Sequence, residues 1–269
     1  MKIYRKIPVL LLLIVSNYSY GQNSPSLTLS VGLSVPAQEL GGDLVNTGDS
    51  GISFISRDFI RNNYANSAGV SLSGTLLIPF GKKSLIIGRL SGSYTFFNVF
   101  RKTFFGVTKE NNIETAVSFD NRFSATAMGI GIEINPFPES RIRPFAYTDF
   151  TVNLFSMSLI RNEILSSLFN DSFRLGLLPG AGITFKINKE YSFVLGGSYH
   201  FGNLFLKSGS SSFDDRIVFE REGIPINDME GLFYTNLSDP DTFPQQITGS
   251  SKSINWWNIS LGINIVLGK

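Results

Sequence analysis

Apolar and small polar residues alternate with a period of two in eight separate stretches of this chain, and no other feature limits its fold as tightly. Successive side chains of a strand point to opposite faces, so each stretch predicts a strand with one apolar and one polar face. The first carries Leu27, Leu29, Val31, Leu33 and Val35 on one face, with Thr28, Ser30, Gly32 and Ser34 between them. The second runs from about Tyr64 to Phe80, with Val70, Leu72, Leu76 and Ile78 in phase. A third climbs from Ser84 to about Phe105 through Ile86, Leu90, Tyr94 and Phe96. A fourth covers about Ile113 to Asn135 and ends on Met128, Ile130, Ile132 and Ile134. The fifth sets Ala146, Phe150, Val152 and Leu154 against Tyr147, Asp149, Thr151 and Asn153. Leu175, Leu177, Ala181, Ile183, Phe185 and Ile187 mark the sixth, and Phe193, Leu195, Tyr199 and Phe201 the seventh. In the eighth, Trp257, Ile259, Leu261, Ile263, Ile265 and Leu267 alternate with Asn258, Ser260, Gly262 and Asn264.

The connections fall into two classes that alternate strictly. Three are short, at 81–83, about 136–142 and 188–190; four are long, at about 36–63, 106–112, 158–172 and 206–252. Short periplasmic turns, long external loops and an even strand number are the pattern of outer-membrane barrels, with both chain ends on the periplasmic side. The expected fold is therefore all-β: an eight-stranded antiparallel transmembrane up-and-down β-barrel. Face chemistry points the same way. The second face is mostly Gly, Ser, Thr, Ala and Asn, a poor surface towards water but a good lining for a narrow lumen. Aromatic residues near strand ends, among them Phe80, Tyr94, Phe96, Tyr191, Tyr199, Phe201, Trp256 and Trp257, suit the girdles at the two membrane interfaces.

Composition removes other classes. Charged residues are 16%, where soluble domains carry about 25%, and aromatic residues reach 13% with 24 Phe. A formal net charge of +2 gives no electrostatic footprint for nucleic acid, and the absence of cysteine rules out a disulfide framework. Residues 1–21 have the order of a secretory signal peptide: Lys2, Arg5 and Lys6, then an apolar run from Ile7 to Val15, then Ser19 and Gly21 before cleavage at Gln22. Residues 22–269 form the expected barrel, exported to the cell outer membrane, with outer-membrane lipid as its surroundings.

Candidate chemistry sits in the lumen and the loops. Arg89, Glu133, Asp149, Arg174 and Lys186 all fall on the inward parity. Charges confined in a small barrel need partners, so these five are expected to form an ionic network that plugs the lumen rather than a catalytic dyad. The single histidine, His200, is also inward, towards the external end of the seventh strand, as a polar lumen residue. Loop one holds Asp43 and Asp49 among glycines; loop four holds Asp214, Asp215, Glu220, Glu222, Asp228, Glu230, Asp239 and Asp241. Their spacing matches no EF-hand, and no metal site or cofactor is expected. The Gly-x-Gly stretches at Gly129 and Gly180 lie inside strands, where they relieve crowding in the lumen.

Several of these residues carry a family resemblance. The leader ending Tyr20-Gly21-Gln22, the turn Asn135-Pro136-Phe137-Pro138 followed by Arg143-Pro144-Phe145-Ala146-Tyr147, and the amphipathic last strand resemble the PorT-like outer-membrane β-barrel proteins of Bacteroidota. The final Leu267-Gly268-Lys269 departs from the terminal aromatic of barrel-assembly signals. The resemblance implies an integral outer-membrane location, in a family some of whose members serve protein secretion. The leading expectation is a non-enzymatic barrel with a closed lumen that anchors or displays its external loops to a protein partner. Two alternatives stand beside it: a lipid A-modifying or phospholipid hydrolase or acyltransferase barrel using His200, and a secreted soluble lipocalin-like barrel that binds a small apolar ligand.

Overall fold

The computed structural model describes residues 24–40, 53–56, 65, 67–81, 84–99, 104–110, 113–161, 164–170, 172–207, 224–225, 228, 233–236 and 252–268. The expected signal peptide, the glycine- and aspartate-rich part of loop one and all the loop-four acidic residues except Asp228 lie outside them. Eight strands form the wall: β1 (Ser26–Ala37), β2 (Gly69–Phe80), β3 (Ile86–Phe96), β4 (Ile113–Ile134), β5 (Ile142–Arg161), β6 (Ser172–Lys186), β7 (Tyr191–Phe205) and β8 (Asn255–Val266). Each pairs antiparallel with its neighbour in sequence. The last closes on the first, from Ser26 opposite Val266 to Ala37 opposite Asn255. Closure removes both sheet edges, as a strand-built membrane span requires.

The short turns share one end of the barrel with the chain ends, where the Leu267 amide donates to the Pro25 carbonyl and the Val266 amide to Glu190. Local chemistry makes these turns tight. Gly81 takes a positive φ of 71°, which costs glycine little. The Asn188 side-chain oxygen accepts from the amides of Glu190 and Tyr191, both at 2.8 Å, folding the chain straight into β7.

At the other end the long connections contain strand, and Ser53–Ser56 of the first pairs antiparallel with Phe233–Asn236 of the last. β4 has 22 residues and β5 has 20, and short strands at Phe104–Glu110 and Ile164–Asn170 pair beside them as hairpins. At about 3.3 Å per residue β4 is about 70 Å long, well beyond an apolar layer of about 30 Å even when tilted. The 106–112 and 158–172 segments, expected as loops, are therefore largely the tips of strands projecting on the external side. The polar, threonine- and serine-containing tips keep their ladders because pairing satisfies the backbone there as well as water does.

The outer surface is apolar and the inner one polar. Leu72 is 60% exposed, Ile130 62% and Ile259 60%, whereas Ser71, Thr151 and Asn153 on the opposite parity are buried. This polarity belongs to a membrane-spanning barrel. A soluble lipocalin-like barrel needs the reverse, so that alternative fails on the outward face.

Candidate functional site

The lumen divides into layers, and register explains each. Near the turn end, Arg89 on β3 lies opposite Gly131 on β4, and Gly131 lies opposite Asp149 on β5. A side chain at 131 would collide with Asp149, so glycine there lets Arg89 reach across a whole strand. The Arg89 Nε donates to Asp149 Oδ1 at 2.9 Å and its Nη1 to Glu133 Oε2 at 2.5 Å. The Ser91 hydroxyl donates to the second Asp149 oxygen at 2.8 Å. The guanidinium also lies 3.7 Å from the centre of the Tyr147 ring, a cation–π contact in a confined site. Tyr147 in turn fits over Gly180, its register partner, where a side chain would strike the ring. Asp149 is fully buried, and Arg89 and Glu133 nearly so.

On the turn side of this ionic floor is a cavity of about 430 Å³ that reaches the mouth between the turns. Lys186 lines it, exposed near the rim, and makes no ion pair among the described residues. Lys186 therefore stands outside the network expected of the five inward charges, because β6 carries it to the very end of the strand, where water solvates it.

On the external side of the floor the lumen turns apolar. Phe97, Phe123, Phe155, Met157, Ile254 and Trp256 are fully buried and form one cluster. Phe123 stacks on Phe155 at 5.7 Å, and Trp256 meets Phe97 and Phe155 edge-on at 5.7 and 6.3 Å. Gly202 leaves room for the Trp256 and Phe155 rings. Trp256, expected in a girdle, is instead inside, while Trp257 faces outwards with Tyr199 packed edge-on beside it and Phe201 edge-on to Tyr199. Sequence reasoning missed this plug, although Phe97, Phe123, Phe155 and Met157 share the odd parity of Arg89, Glu133 and Asp149. The signal was available in parity alone.

His200 stacks on Trp256 at 4.4 Å and 17° and is buried against it. No hydroxyl or carboxylate is bonded to it among the described residues, Ser198 on the same face included. A general base needs its nucleophile within hydrogen-bond reach; this ring has a packing partner.

Arg174 lies at the external end, far along β6 from the floor. It grips Asp228 of the last long connection through Nε at 2.6 Å and Nη2 at 3.1 Å. The Asn203 amide adds a 3.0 Å bond to the same carboxylate, and the Lys252 amide donates to the Asp228 carbonyl at 2.6 Å. Ile224–Pro225 meanwhile pairs parallel with Phe169–Asn170. Asp228, one of the loop-four carboxylates, is thus occupied by protein donors. No cluster of three metal-ligating side chains occurs among the described residues. Of the five inward charges, Arg89, Glu133 and Asp149 form one triad, Arg174 pairs with the loop residue Asp228 at the opposite end, and Lys186 stands at the rim.

Strand number, closure, inverted polarity and the alternation of short and long connections define the class: an integral outer-membrane β-barrel protein. Among solved structures, the chain is similar to the Neisserial surface protein A (10% identity, TM-score 0.44, covering 90% of this chain and 97% of that one). It is also similar to the outer membrane protein OprG from Pseudomonas aeruginosa (10%, 0.44, 93% and 99%) and to a major outer membrane protein from Thermus thermophilus (11%, 0.42, 90% and 99%). No protein-family model matches the sequence, and no curated protein does.

Proposed function

We propose that this barrel is a non-enzymatic anchor: a closed outer-membrane cylinder that holds its external segments in place for a partner protein. The observation that carries this reading is the filling of the lumen at two successive levels, the Arg89–Glu133–Asp149 floor and the aromatic plug around Trp256. An eight-stranded interior is just wide enough for side chains, and here they occupy it. The Arg174–Asp228 clamp supports the second half of the proposal. It spends a buried charge pair on fixing an external segment to the rim, and such a pair selects a geometry more than it adds stability. The PorT-like resemblance in the 135–147 region would make secretion machinery one candidate partner.

The test is threefold. The protein should fractionate with outer membranes, shift mobility on SDS gels when boiled, and show no large steady conductance in planar bilayers. Copurification from mild detergent should return a stoichiometric protein partner, and that partner should be lost when the Arg174–Asp228 clamp is removed by Asp228→Ala in a folded barrel. A steady porin-sized current, or recovery as a detergent-free soluble monomer, would overturn the reading.

A further inference from the structure

The cavity on the turn side of the ionic floor is closed by that floor at its inner end and lined mostly by polar and charged side chains. Its volume of about 430 Å³ lies within the range of small-molecule sites. Its walls carry serine and threonine hydroxyls from β1, β2, β6, β7 and β8, including Thr75, Thr184 and Ser260. Cations outnumber anions around it. Arg89, Arg143, Lys186 and Lys189 line the space with Glu133 and Glu139, and Asp149 behind the floor is bonded to Arg89, which leaves one positive charge in excess.

Arg143 gives that excess a direction. One terminal nitrogen of its guanidinium donates to the Ser192 hydroxyl at 3.1 Å, but its buried Nε has no partner among the described residues, and neither has the Asn135 side-chain oxygen in the same cavity. Buried polar atoms without partners are uncommon and call for an occupant. Guanidinium and ammonium donors favour carboxylate or phosphate oxygens through charge-assisted bonds, and the surrounding hydroxyls suit a body that both donates and accepts.

We infer that this cavity is a binding site, entered from the turn end, for a small anion carried on a hydroxyl-rich body, the chemistry of a sugar acid or a sugar phosphate. Arg143 holds the anionic group, Lys186 at the rim draws it in, and the ionic floor stops it from going further. The site is independent of the partner-display reading, because nothing in it involves the external segments.

The experiment is titration of the isotope-labelled protein in detergent micelles with D-glucuronate, D-glucose 6-phosphate and neutral D-glucose, following the amide resonances of Thr184, Ser192 and Ser260. Saturable shifts at these residues with one or both anions, and a response to glucose at least about tenfold weaker, are expected. Binding of glucuronate alone assigns the carboxylate, and binding of the phosphate alone assigns the phosphate. Arg143→Gln should weaken the response by about tenfold or more, and Lys186→Gln by a smaller factor. Heat-modifiable mobility on gels establishes that each variant is folded. If Arg143→Gln does not fold, the exposed Lys186→Gln carries the comparison. Absence of saturable shifts with either anion, an equal response to glucose, or a response unchanged in the folded variants overturns the inference.

Discussion

Replacing Arg89 by alanine removes the cation bonded to two buried carboxylates, and the structure indicates how much that costs. Asp149 is wholly inaccessible and would keep only the Ser91 hydroxyl at 2.8 Å. Glu133 borders the water-reaching cavity and recovers some solvation there. Stranding one buried charge typically costs about 3–5 kcal/mol, and the lost contact with the Tyr147 ring adds about 0.5–2 kcal/mol. Water at Glu133 offsets part of this, so Arg89→Ala is expected to destabilise the barrel by about 3–5 kcal/mol, a shift of roughly two to four orders of magnitude in the folding equilibrium. The assay is reversible denaturant unfolding in phospholipid vesicles, read by tryptophan emission. A second variant, Asp149→Asn, separates the pair from its surroundings: in Arg89→Ala with Asp149→Asn, the stranded charge is gone. The double variant should therefore be more stable than the sum of the single effects by more than about 1 kcal/mol. A single-variant cost below about 1 kcal/mol, or strict additivity in the cycle, would refute the view that these groups act as one paired unit.

Four further outcomes follow from the same geometry. Trp256→Ala should cost about 3–5 kcal/mol, as large aromatic truncations in packed interiors do, while Trp257→Ala on the lipid face should cost much less in the same unfolding assay. Brominated lipids should quench the emission of a variant retaining Trp257 alone and leave one retaining Trp256 alone nearly unquenched. Gly180→Ala should lower the unfolding midpoint, because the added methyl meets the Tyr147 ring, and the loss should persist when Tyr147→Phe is added, since the ring carbons Cζ and Cε1 are as close as the hydroxyl. His200→Ala should leave the lipid A and phospholipid profile of the host unchanged in a correctly assembled barrel; a missing acylation or deacylation product would reinstate the enzymatic alternative.

Periodicity made the wall of this barrel legible because inward and outward faces meet two different solvents, so every strand repeats the same two-letter code. Counting connections gave the topology for the same reason. What periodicity does not encode is height. Arg89 and Arg174 both point inwards but stand at opposite ends, and only the stagger between strands puts Arg89 beside Asp149 and carries Arg174 up to Asp228. The Gly131 and Gly180 positions read as relief of crowding, but which neighbours needed the space depended on register. The aromatic plug escaped notice because aromatic residues near strand ends suggest a girdle, and Trp256 and Trp257 differ only in the face to which alternation assigns them. β4 was legible to nearly its full length, whereas β5 runs on to Arg161 and pairs there with Ile164–Asn170, where a loop was expected.

That adjacent tryptophan pair has a consequence for how the cylinder shuts. β8 closes the barrel against β1, and it places one indole in hydrocarbon and the next in a packed interior. A slip of a single residue at this seam would exchange every side chain between the two environments. Trp256 would enter lipid, Trp257 would have to force itself among Phe97 and Phe155, and Asn258 and Asn264 would lose Ser71, Ser26 and Thr28, their hydrogen-bond partners. The final strand therefore checks its own alignment: near-miss closures meet an abrupt penalty on both faces at once, and assembly ends either in register or not at all.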